Sequence, residues 1–438
     1  MVGLQRGWIA PILYAANDPQ SDLPLTTEQC SWIASVGFLS RGLSPLFTSF
    51  LMDRVGRTHI IVFNSLVYFT MWIAVYWSRD IWVHYVVRLM AGLSDGLMDT
   101  VAGIYVCENC SPQFRGTFFT LVILFLFAGH LTVFVLATYC SYSCIAITYA
   151  VLGFVTLLST LLTVEPSQYF LMKGNAEKAV KSFSRLRDFS DPASAAEFED
   201  IKKNIEEEKS RTFSLALYRS PEVLKSLRLL LVVMFLCVEC GNPVMTAFVT
   251  KLFSNSNNGL SASQLSIIYG ALQLICVGGT STIMDRVNRR TLMLVCCCCI
   301  TIIHATTAAL YCVQSRYEIK HFNIILFVLL TTFSCMYAMF MFPLIGILRG
   351  ELMPQSVKMV GGGLCTFMLS LGCFINTRTF LPIAEAFGME INFVVFSICS
   401  LIMAVYVYFD LPETRGKTLV QIQNELKGID RKLESSHL

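Results

Sequence analysis

Apolar runs of about twenty residues follow one another down almost the whole chain, and a run of that length is best housed as a helix crossing a bilayer. Hydrocarbon offers the backbone no water, so each run must satisfy its own N–H and C=O groups. Eleven clear runs lie near 31–51, 59–78, 82–105, 117–139, 144–164, 227–250, 262–284, 291–313, 322–348, 357–384 and 390–410. A weaker twelfth covers 1–16 and contains Arg6. At about 1.5 Å per residue it is short for ~30 Å of hydrocarbon. No small-residue cleavage site follows a charged start, so it does not read as a signal peptide. It reads as the second half of a first helix whose beginning is missing. Over 438 residues the chain is 55% hydrophobic and 14% charged. Soluble domains carry about 25% charge, so one soluble core with a charged skin is excluded. The expected class is an all-α membrane protein. The lipid bilayer is its first partner, and a net charge of +3 gives no reason to expect nucleic acid.

The charges that do occur are placed twice in the same order. The first copy reads Asp53-Arg54-Val55-Gly56-Arg57, then Glu108 with Arg115, then Glu165. The second reads Asp285-Arg286-Val287-Asn288-Arg289-Arg290, then Glu351 with Lys358, then Glu413. Two apolar halves with charges at matching turns are the mark of a carrier that rocks one half against the other. Ion pairs among these groups are expected to lock one mouth when it closes and to part when it opens. A single surface pair is worth only about 0–1 kcal/mol, so the argument rests on the matched set.

Most of the 33 Lys and Arg fall on the side of these turns, and the opposite loops hold Arg79, Lys251, Arg316 and Lys320. The basic side is therefore expected to be cytoplasmic, with both termini on it. The organisation expected is 1–164 as an N-terminal half, 165–226 as a linker, 227–410 as a C-terminal half and 411–438 as a tail. Within the linker, 175–187 and 194–210 read as amphipathic helices. The 17 cysteines lie mainly inside apolar runs, where the residue acts as a small hydrophobe. Cys140 and Cys144 share a short loop and read either as a local disulfide or as two thiols. Cys107 and Cys110 have no second pair to complete a metal site, so no metal and no cofactor is expected.

The ordered set of motifs resembles the sugar porters of the major facilitator superfamily, and most of all the insect facilitated trehalose transporters. It comprises Gly7-Trp8 with Pro11, Ser31-Trp32-Ile33, Asp53 to Arg57, Arg88 with Gly92 and Gly96, and Tyr105. It continues through Glu108, Arg115-Gly116, Tyr169 to Gly174, Asp285 to Arg290, Glu351 to Pro354 and Pro412 to Leu419, which includes Arg415. The resemblance implies a bundle of nominally twelve helices in two pseudo-symmetric halves, alternating access, and passive movement of a sugar such as trehalose, a hexose or a polyol. It implies a multi-pass protein of the plasma membrane with no obligate protein partner. The gate it implies comprises Asp53, Arg54, Arg57, Glu108, Arg115, Glu165, Asp285, Arg286, Arg289, Glu351, Lys358, Glu413 and Arg415.

The family's sugar contacts are worn in this chain. Sugar hydroxyls in a dry cavity need groups that donate and accept. The family's Gln pair in span seven falls on Cys237 and Val238, its Gly on Gly241, and its Asn on Pro243 with Asn242 one place early. Its aromatic falls on Phe248, its span-five Gln on Ile123, its span-ten Trp on Gly346, and an amide is kept as Gln273. The cavity candidates are therefore Gln273, Asn242, Glu239, Phe248 and Gly346. Arg41, Asp95, Asp99, His130 and Arg349 add charged or titratable groups inside the spans, where such groups face a cavity or a partner. Asp95 and Asp99 are four apart and share a helix face. These groups are expected either to include a structural pair such as Arg41 with Asp95, or a protonated, hydrogen-bonded acid, or to have Glu239 contact a polar or cationic solute or carry a proton. Two further readings stand beside sugar transport: a carrier retuned to another small polar solute, and a non-transporting receptor or degenerate copy. No nucleophile–base set or phosphate-binding glycine loop appears, so an enzyme is not expected.

Overall fold

The computed structural model describes residues 1–10, 25–78, 80–110, 115–187, 191–210, 220–254, 260–280, 284, 286–353, 357–415, 417, 421 and 422. All regular structure among them is helical. In chain order the helices are α1 (Val2–Gly7), α2 (Thr27–Leu43), α3 (Pro45–Val55), α4 (Arg57–Trp77), α5 (Ile81–Asn109), α6 (Arg115–Tyr139) and α7 (Tyr142–Thr160). Three linker helices follow: α8 (Ser167–Met172), α9 (Ala176–Phe183) and α10 (Pro192–Ser210). The remainder are α11 (Pro221–Glu239), α12 (Asn242–Leu252), α13 (Ala262–Gly278), α14 (Arg289–Gln314), α15 (Phe322–Met336), α16 (Phe342–Leu352), α17 (Lys358–Phe387) and α18 (Met389–Asp410). By length and composition, 7 helices among the described residues can cross a membrane, counting Phe322–Leu352 as one. The first predicted run is helical over Val2–Gly7, and its part beyond residue 10 lies outside the described residues.

Polar caps start the spans at the end away from the basic turns. Thr26 and Gln29 form a reciprocal capping box on α2, and Ser261 and Gln264 repeat it on α13. Asp80 and Ser141 accept from the backbone N–H groups of Trp82 and Cys144. These side chains satisfy donors that a helix start leaves open.

Three predicted spans are interrupted. The run 31–51 divides at Ser44, where Pro45 opens α3. The run 227–250 divides between α11 and α12, because Gly241 takes φ +94° and Pro243 follows at the next helix start. The tenth run holds a π-helical turn, Tyr337–Met341, between α15 and α16. The linker carries the two amphipathic helices expected, and α8 in addition. Leu171, Ala179, Phe183, Phe198 and Ile205 make its own small core.

Helix α2 packs on α5 and α17, α4 on α7, α6 on α13, α11 on α17, and α14 on α18. Glycine makes the α2–α5 crossing close. A Cβ on Gly92 would lie 2.0 Å from the Gly37 carbonyl oxygen, and one on Gly96 would lie 1.9 Å from Ser44 Oγ. Small residues four apart let two helix backbones approach in this way. Cys140 and Cys144 are free thiols, not a disulfide.

Candidate functional site

The repeated charges build two matching clasps at the basic end. In the first, both carboxylate oxygens of Glu165 accept from the start of α4: Arg57 N at 2.5 Å and Thr58 N at 2.9 Å. In the second, Glu413 accepts from the start of α14: Arg289 N at 3.0 Å and Arg290 N at 3.2 Å. A carboxylate on a helix N-terminus satisfies open N–H groups and meets the positive end of the helix dipole. The two arginines also match, for Arg57 Nη1 donates to the Met52 carbonyl at 3.3 Å and Arg289 Nη1 to that of Met284.

Past this point the copies differ. Arg57 grips Glu108 through two bonds, Nε to Oε2 at 3.1 Å and Nη2 to Oε1 at 3.0 Å. Burial pushes the Glu108 carboxyl above its usual range, and the Arg57 guanidinium opposes that shift. In the second copy, Arg289 forms no ion pair with Glu351 among the described residues, and Glu351 Oε2 is buried without a hydrogen bond. Asp53 lies 3.9 Å from Arg57 Nη1. Arg54 stacks over Phe50 at 4.2 Å. Arg286 is exposed. Arg415 donates its main-chain N–H to Glu413 at 3.0 Å and reaches Asn288 Oδ1 at 3.5 Å. Asp285 and the side chains of Arg115 and Lys358 lie outside the described residues.

The linker is tied to the first clasp. Ser182 donates to the main-chain carbonyl of Glu165, and Tyr169 Oη donates to that of Arg54 at 3.3 Å. Each clasp closes within its own copy of the repeat, and no ion pair joins the two among the described residues. At the opposite end a pair does join the copies: Arg378 Nη2 lies 3.6 Å from Glu28 Oε1, with its guanidinium 4.9 Å over Trp32.

The clasps carry a stability prediction. Glu165→Ala and Glu413→Ala should each cost about 1–3 kcal/mol, because each leaves two helix-start donors unpaired. Thermal unfolding in detergent, followed with a thiol-reactive dye, would show it as a lowered Tm. An unchanged Tm for both would mean the caps are replaced by solvent.

Deeper in the bundle the charges form one neutral network. Arg6 Nε donates to Asp95 Oδ2 at 3.2 Å, and Arg6 Nη2 to Asp99 Oδ1 at 3.0 Å. Arg41 donates to Asp99 Oδ2 from Nε at 2.9 Å and from Nη2 at 2.6 Å. Tyr68 Oη donates to Asp95 Oδ1 at 2.5 Å. The expected Arg41–Asp95 pair is therefore corrected to Arg41–Asp99, because Arg6 from α1 takes Asp95. Arg88 is buried and donates to the carbonyls of Ile33 at 3.1 Å and Gln5 at 3.4 Å. Arg349 donates to Thr366 Oγ1 at 3.0 Å. His130 is buried, with Nε2 unbonded among the described residues.

The cavity candidates from the second copy divide by environment. Gln273 donates to Tyr269 Oη at 3.1 Å, and that hydroxyl donates to Ser334 at 3.0 Å. Phe248 is buried and stacks on Phe380 at a centroid distance of 5.4 Å. Asn242 opens α12, and its carbonyl accepts from Thr246 at 3.2 Å. Gly346 borders open space, for a Cβ there would meet no atom within 4 Å. Glu239 Oε2 accepts from Asn376 Nδ2 at 3.2 Å. Asn376, Tyr68 and Arg378 are polar partners that sequence reasoning missed. A lone polar residue in an apolar run carries no periodic signal, and only the helix crossing gives it a partner.

The family model described as "Sugar (and other) transporter" matches residues 9–426. The facilitated glucose transporter member 6 of solute carrier family 2 from Mus musculus is 28% identical over 433 residues, covering 95% of this chain and 86% of its own. The facilitated trehalose transporter Tret1 of Polypedilum vanderplanki is 22% identical over 439 residues, covering 99% and 87%. Among solved structures, the inward open conformation of the xylose transporter XylE from E. coli aligns with a TM-score of 0.79 at 12% identity, covering 96% of each chain.

Proposed function

Because the chain belongs to the Sugar (and other) transporter family, we propose that it is a carrier moving a sugar, a hexose, trehalose or related polyol, across a membrane by facilitated diffusion with alternating access. It makes and breaks no covalent bond. The observation that supports the mechanism is the pair of clasps, each closed within its own copy, with no ion pair between them among the described residues. A rocking carrier needs such units, rigid inside and separable from each other. The units are 1–164 and 227–410, each clasped by a glutamate just past its end: Glu165 at the start of the linker 165–226, and Glu413 in the tail 411–438. The clasp end is the cytoplasmic one, both termini lie there, and the protein sits in the plasma membrane. Arg54, Arg115, Asp285, Arg286, Lys358 and Arg415 complete the gate around the two clasps. At the opposite mouth Arg378 links the two units through Glu28 and Trp32.

The solute lies between the units, near Gln273, Asn242, Glu239 and the open space at Gly346. Cys237 and Ile123, where the sugar porters carry glutamines, are apolar here, and Cys237 spends its thiol on the Met234 carbonyl. Each missing amide removes hydrogen bonds worth about 0.5–1.5 kcal/mol, so affinity for a hexose should be weakened roughly two- to tenfold per lost bond. Uptake of labelled glucose and trehalose by cells expressing the full chain, with surface protein measured in parallel, tests the reading. Saturable uptake of either supports it. Uptake of neither, with the protein at the surface, would overturn it.

A further inference from the structure

Two buried oxygen atoms beside the break in the seventh span have nothing to bond. Glu239 Oε1 and Asn376 Oδ1 are both shielded from solvent, and neither has a hydrogen-bond partner among the described residues. Their sister atoms already meet, Asn376 Nδ2 donating to Glu239 Oε2 at 3.2 Å. For a carboxylate facing an amide, the two remaining oxygens are both acceptors and cannot satisfy each other. One proton resolves both. Placed on Oε1, it makes that oxygen a donor to Oδ1 and closes an acid–amide ring of two opposed hydrogen bonds.

Charge argues the same way. Asp95 and Asp99 are each paired with arginine, at 3.2 Å and 2.6 Å. Glu239 is 8% exposed and joins no ion pair among the described residues. An ionised carboxylate held there by one neutral donor is costly. Its titratable neighbours are thiols: Cys237 on its own helix, Cys373 on α17 and Cys399 on α18. Arg41 and Arg6 both act electrostatically on Cys373. Helix α16 brings Arg349, bonded to Thr366, and Glu351 near its end, and α12 brings Lys251 in its last turn.

We propose that Glu239 and Asn376 form a proton-binding site, filled in this conformation and emptied as the carrier changes state. Glu239 is the last residue of α11, and the chain breaks just beyond it at Gly241, while Asn376 belongs to the continuous helix α17. Motion at the break slides the carboxyl against its amide and opens the ring. Turnover therefore depends on pH even in a passive carrier. That last consequence rests on the reading of the chain as an alternating carrier, whereas the proton site itself does not.

The test uses the purified full chain in liposomes. Infrared difference spectra of wild type against Glu239→Gln at neutral pH should show the carbonyl stretch of a protonated carboxyl, shifted in D2O. No such band would overturn the proposal. Counterflow of labelled glucose should change about tenfold between about pH 5.5 and about pH 8 in the wild type. It should be flat in Glu239→Gln, whose amide makes the same two bonds without a titrating proton. A wild-type pH profile in that variant would overturn the site. Asn376→Leu should displace the midpoint of the profile, and an unmoved midpoint would count against the ring. The band without any glucose movement would support the proton site and sink the sugar reading instead.

Discussion

Asp99→Asn should cost the folded protein about 1–3 kcal/mol, because it removes charge-assisted hydrogen bonds to two arginines. Asp99, its side chain 31% exposed, is the hub of the network, accepting from Arg6 at 3.0 and 3.1 Å and from Arg41 at 2.9 and 2.6 Å. The side chains of Arg6 and Arg41 are only 14% and 13% exposed. Two arginines and two aspartates make a neutral group. Removing one negative charge leaves two largely buried guanidiniums with Asp95 alone to balance them. The expected result is a lower yield of monodisperse protein on size exclusion and a lower Tm in detergent. Arg41→Met should restore part of the loss in the Asp99→Asn background, because it removes the stranded cation. That non-additivity separates a charge effect from a packing effect. A variant melting with the wild type would show that Asp99 is not the hub.

Gly92→Val should be nearly as damaging, for a reason that involves no charge. A Cβ at Gly92 would sit 2.0 Å from the Gly37 carbonyl oxygen and 2.1 Å from Ser40 Oγ. The serine hydroxyl can rotate, but the carbonyl belongs to helix α2 and cannot. The two helices must separate, and overpacking of this kind costs about 1–3 kcal/mol for one added group, more for a branched one. Arg88, one turn earlier, reaches the Ile33 carbonyl across the same crossing at 3.1 Å and would lose that bond. Alanine at Gly92 should fall between the wild type and valine. The comparison is read from thermal unfolding of the three proteins, and equal Tm values for all three would mean that the crossing yields freely.

How much of this was legible before the structure depends on the kind of residue. Helices were legible because long apolar runs permit little else. The gap at Gly241 could be inferred from glycine and proline two residues apart, whereas the π-turn at Tyr337–Met341 has no comparable mark. Glu165 and Glu413 stood out as charges at matching turns. Their task as helix caps required the fold, since the helix starts they serve lie far away in sequence. The shared face of Asp95 and Asp99 followed from their spacing, and Arg6 does reach both. The choice of Arg41's partner did not follow, because nothing in the sequence says how α1 crosses α5. Asn376 was invisible for the same reason: its meaning comes from Glu239, on another helix.

The clasps also bear on how such a chain could have arisen. Glu165 and the helix start it closes lie in the first copy, and Glu413 with its helix start lies in the second. A single ancestral copy would already have held every residue its own clasp required. Gene duplication would then have delivered two finished parts, with no new bond needed between them. Once separate, each part was free to drift. The second now carries Asn288 where the first has Gly56, and among the described residues its arginine does not grip its glutamate as Arg57 grips Glu108.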